Sequence, residues 1–81
     1  MYQFDTIKNS YISAVQWGLA LKVGYNESKH GNEIIHKFCE NFIDNSNYNE
    51  HDKPIMKAEL EIIKEALSQE IESFYQKGES E

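Results

Sequence analysis

The stretch Tyr11–Gly24, YISAVQWGLALKVG, decides the fold. At about 100° per residue, Ile7, Tyr11, Ala14, Val15, Gly18 and Leu21 fall on one helical face. Ile12, Leu19 and Trp17 widen it on both sides, leaving Asn9, Ser13 and Gln16 a narrow polar strip. A helix apolar over so wide an arc is normally buried. The stretch therefore reads as a central first helix, over residues 6–23, with the rest of the chain packed around it. Ser10, Ala14 and Gly18, spaced by four, form a small-residue line along which another helix can approach closely. The run is too short to span a bilayer, and Gln16 and Lys22 interrupt it. The start MYQFDTIKNS has no basic region of the kind that opens a signal peptide. Tyr2 and Phe4 are expected on the core, and Asp5 or Thr6 is expected to cap the helix. Gly24 is the expected left-handed terminator.

Downstream of this helix, YNESKHG (25–31) reads as a connection. Ile34, Ile35, Phe38, Cys39 and Phe42 then make an apolar stripe, with Ile43 at its margin, predicting an amphipathic helix over residues 29–45 capped by Ser28. NSNYNEHD (45–52) is a polar loop that Tyr48 can pin to the body. Asp52 and Pro54 open a third helix, where the missing proline N–H does no harm. Met56, Leu60, Ile63, Leu67, Ile71 and Phe74 carry its stripe over residues 53–77, and Gly78 is the expected stop. The predicted architecture is all-α: residues 1–81 as one domain, a small antiparallel three-helix bundle with a central first helix and a long third helix.

An 81-residue chain buries a modest core, and its single cysteine, Cys39, allows no internal disulfide. Association with another chain is then the usual remedy, and a homo-dimer or larger oligomer is one expectation. A lone cysteine and the absence of an export signal suit a reducing compartment, so a cytoplasmic location is expected. Net charge is -6, and all eight basic residues are lysine. A net-negative chain without arginine is a poor nucleic-acid ligand. A partner drawn by charge would be a protein with a basic or apolar surface.

Four groups of residues are candidates for function. Ile55 and Ile62, flanked by Ala58 and Ala66, point away from Leu60 and Leu67 and give the third helix a spare apolar face for a target or a second copy. Glu61, Glu65 and Glu72 line an acidic ridge on the same helix. Tyr11, Lys22, Tyr25, Lys29 and His30 gather around the end of the first helix as a possible cluster for a small nucleotide. His36, Cys39 and Glu40 share one turn of the second helix. One cysteine on an apolar stripe beside a flanking histidine falls short of a zinc ligand set, so no metal and no cofactor is expected. The same pair lacks an orienting third group for nucleophilic catalysis, and no phosphate-binding loop or hydrolase motif is present. The sequence is thus read as a non-enzyme. The leading expectation is a small acidic inhibitor or neutraliser, of immunity, antitoxin or phage anti-defence type, that docks to a larger protein. The alternatives are a structural homo-oligomer and an oligomeric binder that sequesters a small nucleotide.

Overall fold

A computed structural model describes the backbone of residues 3–79 and the side chains through Gln76. Tyr2, expected on the core, lies outside the described residues. The chain forms α1 (Phe4–Ala20), α2 (Tyr25–Asp44) and α3 (Asp52–Glu79), and each helix packs against the other two. The three-helix, all-α bundle is therefore as expected. It is elongated, 48 × 18 × 17 Å, because the 28 residues of α3 extend for about 42 Å at about 1.5 Å per residue.

The helix ends differ from expectation. Gln3, and neither Asp5 nor Thr6, occupies the N-cap of α1, with no side-chain cap. At the other end Leu21 donates to the Trp17 carbonyl, Lys22 to Leu19 and Val23 to Gly18. The last two bonds are the reverse-turn pair that closes a helix when the residue just past its end is left-handed. Lys22 takes that conformation, at φ 56, although glycine is the usual occupant. Gly24 lies two residues further on, at φ 115, and serves as the N-cap of α2. The tight turn at 21–24 is the whole connection, so Tyr25 and Ser28 belong to α2 rather than to a loop. Gly78 does not end α3, which runs on to Glu79.

The second turn is held by side chains. Ser46 donates to the Ile43 carbonyl at 2.6 Å and accepts from the Tyr48 amide. Asn49 accepts from the His51 amide through its side chain and from Asp52 and Lys53 through its carbonyl. Tyr48 packs against the core, as expected. Pro54 sits in the first turn of α3, where a missing N–H costs nothing.

The core consists of Tyr11, Val15 and Leu19 from α1, Cys39 and Ile43 from α2, and Leu60, Leu67 and Ile71 from α3. It is smaller than the sequence suggests. α1 is buried along one narrow face only: Trp17 is 67% exposed and Leu21 68%, while Ser10 and Ala14 of the small-residue line are exposed as well. Helix packing takes up one side of α1, and the apolar residues in excess of that side stay in solvent. On α3, Phe74 lies partly outside and Tyr75 packs against the core in its place. The Tyr75 hydroxyl accepts from the Gly24 amide at 2.9 Å, tying the first turn to α3.

Candidate functional site: an outward apolar face on α1 and α2

The largest departure from the sequence pattern is the rotation of α2. Its buried residues are Ser28, Asn32, His36, Cys39 and Ile43. Ile34 and Phe38, from the outer half of the apolar stripe, are 53% and 69% exposed, and Phe42, near its centre, is 38% exposed. On a helical wheel the buried face and the centre of the stripe differ by about 90°. Ile43, placed at the margin by the sequence, is completely buried.

Polar bonding to both neighbours explains the rotation. The Tyr11 hydroxyl of α1 donates to the side-chain oxygen of Asn32, and the Asn32 amide donates to the Lys64 carbonyl of α3 at 3.1 Å. A single asparagine, 2% exposed, thereby joins all three helices. Buried polar atoms are costly unless bonded, and these are bonded only while this edge of α2 points inward. Burial pushes the Tyr11 phenol well above its ordinary range and raises the Cys39 thiol too.

The apolar side chains displaced outward line a groove between α1 and α2. Ile7, Ser10 and Tyr11 form one wall, and Ile35, Phe38 and Phe42 the other; its volume is about 350 Å³. Phe38 and Phe42 also border a hollow of about 520 Å³ with Asn41, Asn45 and Ser46. On the helical wheel Ser10, Ala14 and Leu21 continue the α1 side of this face, with Trp17 at its edge. Phenylalanine and tryptophan rings standing in water are the side chains that anchor protein interfaces.

The structure sorts the residues singled out from sequence. Ile55 and Ile62 are 63% and 68% exposed, and Ala58 and Ala66 are exposed with them, so this strip faces away from the bundle. The acidic ridge is broken up. Glu61 turns toward His36. Glu72 accepts from the Tyr25 hydroxyl and pairs with Lys29 at 3.5 Å, which holds its carboxyl below the ordinary range, the tyrosine bond acting more strongly than the lysine. Only Glu65 is left as a plainly exposed carboxylate without a pairing of this kind. The nucleotide cluster also comes apart. Tyr11 is 1% exposed and committed to Asn32, so it has no face to offer a base. Tyr25 packs edge-on against Tyr75, and its hydroxyl and Glu72 raise the Lys29 ammonium. Lys22 and His30 are exposed.

Sequence reasoning missed Ile34, Phe38, Phe42 and Trp17 as surface residues. A signal was present: Ser28, Asn32 and His36 are spaced by four and form a polar line next to the apolar stripe, and the buried Tyr11 required a polar partner. Among the described residues no helix is long and apolar enough to cross a membrane. No family model, curated protein or solved structure matches the chain.

Proposed function

We propose that this protein is a small, acidic, non-enzymatic binding protein that neutralises a larger protein by docking the α1–α2 face onto it. The observation that carries the reading is the outward position of the α2 stripe, with Phe38 69% exposed in its outer half. Among the described residues, nine large apolar side chains are exposed against eight in the core, a poor economy for a chain that works alone. Phe38 and Trp17 are rigid anchors that lose little freedom when a partner covers them.

Charge favours a different protein over a second copy. Each chain carries -6, so copies repel on approach, whereas a basic rim around an apolar pocket attracts the chain and speeds encounter. Lys8, Lys29, Lys53 and Lys57 are each already paired with a carboxylate, which keeps the surface negative in effect. A second reading, self-association, is favoured by one specific observation: the Ile55/Ile62 strip on the outer side of α3 is a second apolar face. An α3 strip of one copy meeting the α1–α2 face of the next would build a head-to-tail assembly.

The test is affinity capture from a lysate of the source organism with three baits: wild type, Phe38→Asp and Ile62→Asp. The proposal expects one protein held by wild type and Ile62→Asp and lost with Phe38→Asp. Retention by Phe38→Asp with loss from Ile62→Asp would move the site to α3 and refute it. Trp17 then gives a direct readout with the purified partner, because its indole passes from water into a contact.

A further inference from the structure

The geometry points to a divalent transition-metal site of zinc type formed by His36 and Glu40 of α2 and Glu61 of α3. The His36 side chain is 6% exposed, yet its Nε2 has no hydrogen-bond partner. That nitrogen lies 3.0 Å from Glu61 Oε2 without the alignment of a hydrogen bond. Glu40 Oε1 stands 3.6 Å from the other ring nitrogen, Nδ1, so the Glu40 side chain must swing toward the Nε2 side to join an ion held there. One donor atom from each of the three residues can be chosen so that all lie within 4.8 Å of one another. A buried imidazole nitrogen left unbonded is rare in a native structure, and a metal ion at its lone pair resolves the cost.

The chemistry selects the ion. A neutral imidazole with two carboxylates carries two negative charges, which a divalent cation balances. The nitrogen donor disfavours magnesium and calcium, which take oxygen ligands, and suits zinc. Three protein ligands leave a fourth position for water, and Glu61, whose side chain is 56% exposed, opens the site to solvent on that side. His36 and Glu40 stand one turn apart on α2, as i and i+4, so their spacing is set by the helix. Glu61 comes from another helix, and a bound ion would therefore clip α2 to α3. The rival occupant is a proton: an imidazolium held between the two carboxylates.

The experiment is zinc binding to the full chain by titration calorimetry, with thermal unfolding by circular dichroism in parallel. Wild type, Glu61→Gln and a His30→Gln/His51→Gln double variant are compared, and magnesium is run as the control ion. Glu61 is exposed, so Glu61→Gln keeps the fold, which its far-ultraviolet spectrum checks. The expected result is one zinc per chain in wild type and in the double variant, with a raised Tm. Glu61→Gln should bind at least about tenfold more weakly, since even residues supporting a ligand cost about 10–100-fold when changed. Equal zinc binding by wild type and Glu61→Gln would overturn the site, as would loss of binding in the double variant or an equal rise in Tm with magnesium. Absence of zinc binding to wild type would leave the proton as the occupant and overturn it too.

Discussion

Replacing Phe38 by serine separates the observed face of α2 from the face its apolar pattern suggests. Fully burying a phenylalanine side chain contributes about 1.5–3 kcal/mol. Phe38 is 69% exposed, so only about a third of that, roughly 0.5–1 kcal/mol, is at stake in the free chain. Ile43, on the buried face, is 0% exposed, and Ile43→Ala should cost about 2–5 kcal/mol for lost burial and the cavity left behind. With a urea dependence of about 1 kcal/mol per molar for so small a domain, Phe38→Ser should move the unfolding midpoint by less than about 1 M. Ile43→Ala should move it by about 2 M or more, or leave the chain unfolded. Urea titrations followed by far-ultraviolet circular dichroism read both. A Phe38→Ser variant as damaged as Ile43→Ala would mean that Phe38 is buried in the free protein. The outward face, and the docking function built on it, would then fail.

Three further outcomes follow from the same structure. Asn32→Ala should destabilise by about 2–3 kcal/mol, more than its volume explains, because the Tyr11 hydroxyl keeps only the 3.3 Å contact to the residue-32 carbonyl and the Lys64 carbonyl loses a donor; a cost below about 0.5 kcal/mol in urea unfolding would deny the three-helix junction. Lys22→Gly should raise stability by up to about 1 kcal/mol, because lysine is held at φ 56 in a conformation glycine adopts freely, and a loss in the same assay would show that the lysine side chain matters more than the backbone. Stability should fall at both ends of the pH scale. The buried Tyr11 phenol binds its proton more tightly folded than unfolded, so stability is complete below pH ~10 and falls above it by up to about 1.4 kcal/mol per pH unit. Glu72 is depressed by Tyr25 and then Lys29, so its contribution is present above the ordinary carboxylate range and is lost as pH falls through its lowered value. Urea midpoints against pH, with Tyr11→Phe flattening the alkaline limb, check both signs.

The helices themselves were legible in the sequence, because the apolar residues of each recur with a helical period and Pro54 and the 45–52 loop punctuate them. The inward face of α2 was not. A wheel weights residues by hydrophobicity, and Asn32 and His36 score as solvent-facing; the bonds that hold Asn32 inward come from Tyr11 and Lys64, which are 21 and 32 residues away from it in the chain. The end of α1 was misplaced for a local reason. Gly24 looked like the only left-handed candidate, but the hydrogen bonds from Lys22 and Val23 fix that conformation two residues earlier. The α3 strip was legible because it needed only one helix to define it. The grouping of Tyr11 with Lys22, Tyr25, Lys29 and His30 failed because proximity in sequence at a helix end does not say which side chains point inward. Glu61 was visible as an acid and His36 as a histidine, but their approach depends on how two helices pack, which no single-helix periodicity contains.

The central claim is that the α1–α2 face is free in the isolated chain and reserved for a different protein. Light scattering across a concentration series, on wild type and Phe38→Asp together, tests it most directly. The account predicts the 9.5 kDa mass of a single chain for both proteins at every concentration. A larger wild-type mass that collapses to the single-chain value in Phe38→Asp would contradict it, and would show that the face is covered by another copy of the same chain.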